Sequence, residues 1–398
     1  VSGEMVGVGD GLLMLIRPAL EAISSGDVVA IQSTEPSVQH DLPAWCKISG
    51  HDYLGSESIE SGTVYYFRKG EHSPLANLDK PGWGAQIIPR DDGSIRTEDW
   101  LIGRGAEVSE TAPTHTGFAP RGAVIEPGSP DFEFEINRRS EVWAAEVASL
   151  YEQATANQWN ASHDIPWNQL TPLPEPVERA VCQLMTFLTE NEYSALYVPA
   201  KFVSRINPHY IEVVLFLSTQ MVDEARHIEV FTKRALANGG GLQYSAASTQ
   251  LSLKTLFDQR DFTTASFLLS VMGEGTFLDL LRFIEEHAPE PVTAEICRRA
   301  RNDEARHVHF GMAHVRHFLG QKPENYDELL SAVRKRADFM SSVTEVSPWV
   351  QDALAVLAAG GLEPSRLAEG SRKVKELMAD MHRHRFQRLQ SAGFTPQQ

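Results

Sequence analysis

The pentapeptide Asp-Glu-Ala-Arg-His, "DEARH", occupies residues 223–227 and recurs letter for letter at 303–307. The copies stand 303 − 223 = 80 residues apart. Each is embedded in a run with apolar residues at helical spacing, "IEVVLFLSTQMVDEARHIEVFTKRALA" (211–237) and "AEICRRARNDEARHVHFGMAHVRHFL" (294–319). On a helix, positions i and i+3 share a face. Glu224 therefore points the same way as His227, and Glu304 the same way as His307. A carboxylate beside an imidazole suits one iron or manganese ion.

Each copy follows a segment that carries an isolated acid among apolar residues. The clearer is Glu274 in "ASFLLSVMGEGTFLDLLRF" (265–283). A buried, unpaired carboxylate either costs several kcal/mol or becomes neutral, and a metal ion removes that cost. Aligning "NEYSAL" with "GEGTFL" pairs Glu192 with Glu274. The intervals 224 − 192 = 32 and 304 − 274 = 30 each fit one helix, a turn and a return. Glu190 is the competing acid, about half a turn away. One Glu-x-x-His copy by itself is most often a solvated or capping pair. Two identical copies, each about 30 residues after an aligned acid, point instead to a dinuclear site of Glu192, Glu224, His227, Glu274, Glu304 and His307. Asp223 and Asp303 are expected to accept the N–H of the site histidines and fix their tautomers. Arg226 and Arg306 are expected to pair with nearby carboxylates. His309, two residues from His307, faces elsewhere.

Around these motifs the chain reads as three parts. Residues 1–70 alternate strand and helix signals: a strand at "EMVGVG", a helix at "DGLLMLIRPALEAISSG" with Leu12, Leu13, Leu15, Ile16 and Leu20 on one side, a strand at "DVVAIQS", a helix at "SVQHDLPAWCKISG" and a strand at "TVYYFRKG". That order predicts a small α+β domain. Residues 71–135, rich in Pro, Gly, Asp and Ser, read as a linker or arm. Residues 136–398 read as helices: one over "SEVWAAEVASLYEQATANQW", one over 176–205, one over 207–239 started by Asn207-Pro208, one over 261–287, one over 292–319, and three shorter amphipathic stretches. Pro199 is expected to kink or end its helix. Long helices with short connections predict a bundle.

Composition sets outer bounds. The 398 residues carry a formal net charge of −17, which argues against nucleic acid and anionic membrane surfaces as partners. The basic cluster "HRHRFQRLQ" (382–390) reads as a solvated helix end. Three cysteines, Cys46, Cys182 and Cys297, form no paired framework, and no signal-peptide pattern opens the sequence, so a cytoplasmic setting is expected. No apolar run reaches the ~18 residues of a membrane span.

One Glu from each of two helices and Glu-x-x-His from each of two others is the arrangement of ferritin-like di-iron carboxylate bundles. Residues 138–398 resemble that superfamily, and the Asp-Glu-x-Arg-His pattern is most similar to ribonucleotide reductase small subunits and bacterial multicomponent monooxygenases. The fold implied is mainly α, a ferritin-like four-helix di-iron bundle with additional helices behind the α+β domain. The resemblance implies two Fe ions, with Mn/Fe also accommodated, that activate dioxygen to oxidise a small organic molecule. With no flavin, nicotinamide or iron–sulfur motif in the chain, a separate reductase or ferredoxin is implied as electron donor, and a homodimer is left open. Three positions depart from relatives. Phe231 replaces the radical-bearing tyrosine of the reductases. Ala300 replaces the added histidine of arylamine oxygenases. Leu278, with Thr276 two residues nearer, replaces a monooxygenase threonine. The alternatives are a ferritin-like metal-handling protein and a sulfur-relay scaffold with an inert bundle.

Residues 1–70 resemble TusA-like sulfur carriers through "GDGLLMLIRPAL" and "LPAWCKISGH". In that family a Cys-Pro pair opens the first helix and its thiol carries persulfide. Here the place reads "MVGVGDGLL", and Cys46 lies late in the second helix, so a docking role is expected rather than sulfur transfer.

Overall fold

The computed structural model describes residues 1–70, 87–102, 108–123, 125, 129–341 and 346–394. The chain divides into two compact units, Val1–Gln86 with Pro113–Glu133, and Ile87–Ala112 with Phe134–Gln398. Of the stretch read as an arm, residues 71–86, 103–107, 124 and 126–128 lie outside the described residues.

The first unit holds β1 (Ser2–Glu4), α1 (Leu12–Glu21), β2 (Val28–Ser33), α2 (Val38–Ile48), β3 (Asp52–Ile59) and β4 (Gly62–Arg68). The sheet order is β1-β2-β4-β3, with β1 parallel to β2 and the remaining pairs antiparallel. Alternate residues Val29 and Ile31 of β2 and Tyr65 and Phe67 of β4 turn to one face. Leu12, Ile16 and Leu20 of α1, and Val38, Leu42 and Cys46 of α2, recur every four residues and close over that face. The apolar side of α1 is narrower than its spacing suggests, since Leu15 is exposed. The first strand also ends sooner than expected. Glu4 has φ 44°, and the chain turns there instead of extending through "VGVG".

The second unit is helical: α3 (Thr97–Ile102), α4 (Val147–Ala156), α5 (Glu175–Val203), α6 (Ile211–Ala237), α7 (Ala247–Phe257), α8 (Phe262–Ser266), a π-helical segment (Phe267–Glu274), α9 (Gly275–Glu286), α10 (Pro291–Gln321), α11 (Tyr326–Ser341), α12 (Pro348–Ala359) and α13 (Pro364–Ser391). Starts follow local chemistry. Asn207 accepts from His209 N ahead of α6. Glu290 accepts from Val292 N and Thr293 N, with Pro291 at the first turn of α10. The 29 residues of α5 span about 43 Å, running through Pro199 to Val203.

Three expectations are corrected. "SEVWAAEVASLYEQATANQW" is not one helix: a short 3-10 turn covers Arg139–Glu141, Val142–Glu146 is irregular, and α4 covers only Val147–Ala156. Residues 261–287 are not uniformly α-helical: the Gly275 N–H reaches back five residues to Ser270 O, adding a residue to the turn. The basic C-terminal cluster is not a solvated end. It lies on α13, a helix of 28 residues, where His384 Nδ1 meets Asp279 Oδ1 at 2.8 Å and Arg388 stands 3.8 Å from Asp279 Oδ2.

Four helical rods, α5, α6, α8 through α9, and α10, form a four-helix bundle with additional helices around it. Its interior has two apolar clusters. One contains Leu184, Leu188, Val230, Leu281, Ile284 and Ile296, and the other Phe202, Phe216, Leu268 and Phe310. Along each rod, the polar positions 192, 224–227, 274 and 304–307 fall between the residues given to one cluster and those given to the other. Close approach is built in by glycine: a Cβ on Gly311 of α10 would meet Ser270 Cβ at 2.6 Å, and one on Gly275 would meet Arg388 Nε at 2.4 Å. Arg234, fully buried, ties α5 to α6 and the start of α10 through Glu178 at 2.7 Å and Glu290 at 3.0 Å. No helix among the described residues is long and apolar enough to cross a membrane.

Candidate metal centre

The i, i+3 spacing on α6 and α10 brings Glu224 beside His227 and Glu304 beside His307, and the packing of the two helices brings the pairs together. His227 Nδ1 is 3.3 Å from Glu304 Oε1, 3.5 Å from Glu224 Oε2 and 3.8 Å from Glu192 Oε2. His307 Nδ1 is 2.9 Å from Glu224 Oε1 and 3.4 Å from Glu304 Oε2. The six residues form two overlapping groups, Glu192–Glu224–His227–Glu304 and Glu224–Glu274–Glu304–His307, whose ligand atoms lie within 4.8 Å of one another. Ligand atoms about 2.0–2.2 Å from an ion stand at most about 4.4 Å apart across it, so side-chain shifts of a few tenths of an ångström would close each group on an ion. Glu224 and Glu304 belong to both groups and are the candidates to bridge.

All six are at least 95% buried. Within the protein, Glu192 Oε1, both oxygens of Glu224, Glu274 Oε2, Glu304 Oε2 and the Nδ1 atoms of both histidines have no hydrogen-bond partner. Buried polar atoms are rarely left so, and seven in one place point to a bound cation. Electrostatics agree. Burial, then the neighbouring Glu224 and Glu304, pushes Glu192 well above the usual carboxylate range. Glu274 is raised well above it too, by burial and then by Glu304. Burial alone would lower both histidines, yet Asp303 and the surrounding glutamates hold His227 well above the ordinary imidazole value, and Glu224 with Asp223 does the same for His307. Four clustered carboxylates call for positive charge, and two divalent ions would match them.

Asp223 and Asp303 do not serve the histidines of their own pentapeptides. They cross: His227 Nε2 meets Asp303 Oδ2 at 3.1 Å, and His307 Nε2 meets Asp223 Oδ2 at 3.3 Å. Both ring Nδ1 atoms are thereby turned to the carboxylates. Arg226 and Arg306 each donate to both aspartates. Burial would raise the two aspartates, but hydrogen bonds from the histidines and the adjacent cations hold both below the ordinary value. Sequence reasoning missed three contributors. Trp159 Nε1 donates to Asp303 Oδ2 at 2.7 Å, Gln158 Nε2 to Asp223 Oδ1 at 3.1 Å, and Gln220 Nε2 to Glu274 Oε1 at 3.2 Å. Gln220 was legible, lying one turn before Glu224 on the same face; Trp159, in a loop after α4, carried no such signal. Glu190 stands outside the groups and accepts from Ser245 at 2.5 Å and Gln250 at 2.8 Å. His309 is exposed, and Phe231 is fully buried beside His227.

A cavity of about 300 Å³ opens against Glu192, Glu274 and Glu304. Its walls are mainly apolar, including Phe187, Phe277, Leu280 and Met381, with Thr276 and Arg385 among the polar residues. Pro199 does not line it.

No family model matches the chain. Solved structures of an R2-like ligand-binding oxidase are similar to 63% of it. One with an aerobically reconstituted Mn/Fe cofactor after a long soak is 20% identical, covered over 93% of its own length, with a TM-score of 0.48. Another, with its metal cofactor after photoconversion, is 19% identical, covered over 94%, with a TM-score of 0.48. In the N-terminal region, a sulfur carrier protein TusA of Pseudomonas entomophila is 33% identical over 58 residues, which is 14% of this chain and 71% of that protein. The putative sulfur carrier protein YrkF of Bacillus subtilis is 38% identical over 58 residues, and the chain spans only 31% of its length. Where that family carries its thiol, between β1 and α1, this chain has none, and burial pushes the Cys46 thiol up to about 12. The match over most of a carrier's length coincides with a four-stranded sheet covered by α1 and α2: through its N-terminal unit, the chain belongs to the TusA sulfur-carrier family.

Proposed function

We propose that the helical unit is a dimetal oxidoreductase that uses dioxygen to oxidise a small organic molecule, with electrons from a separate donor. The observation that carries the reading is the set of seven buried, unpartnered ligand atoms on Glu192, Glu224, Glu274, Glu304, His227 and His307, set against an apolar-walled cavity. Two iron ions, or manganese with iron, would supply the redox chemistry, since both accept oxygen and imidazole ligands. The chain's own groups do the rest. Glu224 and Glu304, which belong to both groups of ligand atoms, would contribute to holding either ion. Asp303 and Asp223 hold the imidazoles with Nδ1 inward. The two apolar clusters exclude water from a site whose four carboxylates match two divalent charges. Insertion of one oxygen atom from dioxygen consumes two further electrons, and the sequence holds no flavin, nicotinamide or iron–sulfur motif to deliver them, so a reductase or ferredoxin is proposed as partner. The N-terminal unit serves as a docking module for that partner or for a substrate carrier, since Cys46 is buried and late in its helix. An apolar-walled cavity beside the site favours an organic substrate over metal storage.

Metal analysis of the purified protein tests this directly. About two iron or manganese ions per chain are expected, and mixing the reduced, metal-loaded protein with dioxygen should give transient optical changes. A protein purified from iron- and manganese-supplied cells with no bound metal sinks the proposal.

A further inference from the structure

The two halves of the site repeat their pentapeptides but not what stands before them. On α6 the residue four before Glu224 is Gln220, whereas on α10 the residue four before Glu304 is Ala300. Both are buried, Gln220 at 2% exposure and Ala300 at 0%. Gln220 continues the buried face that carries Val213, Phe216 and Leu217, so its amide stands where α6 passes from apolar packing to the site. A buried amide costs free energy unless it is hydrogen-bonded. Gln220 Nε2 donates to Glu274 Oε1 at 3.2 Å, reaching from α6 to the end of the π-helical segment. Glu274 Oε2 has no partner within the protein. Ala300 has no group to donate, and Glu192, the acid aligned with Glu274, keeps its Oε1 unpartnered. The contact of Glu192 with His227 Nδ1, at 3.8 Å, is too long for a hydrogen bond.

Resting on the dimetal reading, we propose that Gln220 is a positioning residue for Glu274: it fixes which carboxylate oxygen is offered to a bound cation and makes the two ligand groups unequal, with Glu274 held and Glu192 free to turn. The last torsion of a glutamate is broad, so an unheld carboxylate presents either oxygen, or both, to its surroundings. A donated N–H occupies a lone pair of Oε1 and opposes that rotation, and the bond is stronger for an ionised acceptor in buried surroundings. Glu274 is thereby left with Oε2 as the oxygen to offer. Glu192 rotates without breaking such a bond. Both acids line the cavity, so the difference between them lies on a wall that a bound molecule would meet.

The test loads the full chain with cobalt(II), whose visible absorption strengthens as its coordination number falls, and compares wild type with Gln220→Met and Gln220→Leu. Both substitutions remove the donor at similar volume; circular dichroism checks the fold, and if one variant folds poorly the other carries the comparison. Each variant is expected to give up one of its two ions to a competing chelator about tenfold more readily, with the other ion unchanged within about twofold. Each should also absorb more weakly at full loading, because Glu274 then offers both oxygens. In a Glu274→Ala background the same substitutions should change neither reading. Wild-type retention and absorption in the variants overturn the proposal. So does equal weakening of both ions, or an effect of the same size in the Glu274→Ala background, since either marks a general packing role. Wild type that takes up no metal refutes the dimetal function, whereas two bound ions that do not respond to Gln220 refute only its positioning role.

Discussion

Replacing Asp303 by Asn is the sharpest probe of the crossed arrangement. Asp303 is 2% exposed, and its carboxylate accepts from His227 Nε2 at 3.1 Å, Trp159 Nε1 at 2.7 Å, Arg226 Nη2 at 3.0 Å and Arg306 Nη2 at 2.5 Å. All four partners are donors. The amide of Asn keeps one acceptor oxygen and turns an NH₂ group toward donors, so one side of this set is lost whichever way it flips. Two buried guanidinium groups are then left with Asp223 as their one carboxylate. Removing one partner of a buried ion pair costs about 3–5 kcal/mol, and loosening the hydrogen bond that orients a ligand histidine weakens metal binding about 10–100-fold. The crossing adds a prediction that neither figure contains. Asp303 orients His227, which belongs with Glu192, Glu224 and Glu304, so Asp303→Asn should release one ion at low chelator concentration and retain the other. Competitive chelator titration followed by metal analysis reads this, and a double-mutant cycle assigns it. Asp303→Asn should be strongly non-additive with His227→Ala and close to additive with His307→Ala. Equal weakening of both ions, or coupling to His307 instead, refutes the crossed geometry. Wild-type affinity throughout would remove Asp303 from the site's support altogether.

Glu192→Ala and Glu274→Ala should each lower bound metal from about two ions per chain toward one, whereas Glu190→Ala, whose carboxylate is taken up by Ser245 and Gln250, should leave it unchanged; metal analysis of the three variants decides. His314 is fully buried between Trp143 O and Thr263 Oγ1, and burial lowers it from 6.5 to about 4. The folded state thus favours its neutral form, so the associated stability is full above pH 6.5 and is lost progressively as pH falls toward 4, by about 3 kcal/mol. Denaturant unfolding at pH 7 and pH 4.5 should show this loss, and His314→Gln should remove that part of it; identical pH slopes in the two proteins would contradict the assignment. Cys46→Ser should leave oxidation activity intact, and the folded wild type should gain no 32 Da adduct on Cys46 from a persulfide donor; an adduct together with lost activity would make sulfur transfer part of the mechanism.

The two pentapeptides settled much before any coordinates. Spacing of i and i+3 is a property of one helix, so Glu224–His227 and Glu304–His307 had to share faces wherever the helices went. Glu274 stood out because a lone acid in an apolar run has few other uses, and the alternation of α1, β2, α2 and β4 announced the small α+β unit. Tertiary structure decided what depends on how rods pack. The histidine–aspartate bonds join residues 76 and 84 positions apart, and Trp159 meets Asp303 across 144. No local pattern encodes which aspartate faces which imidazole, because that follows from the depth at which α6 crosses α10. That Glu192 rather than Glu190 faces the clustered carboxylates follows from the rotation of α5, which is set by residues on both sides of it: Leu188 and Ala195 are both buried, in different clusters, and Glu192 lies between them. The extra residue of the π turn, and the turning of a basic helix end into the cavity wall, arise the same way. Each satisfies a neighbour far away in sequence, Gly311 against Ser270 in one case and Arg385 against Thr276 in the other.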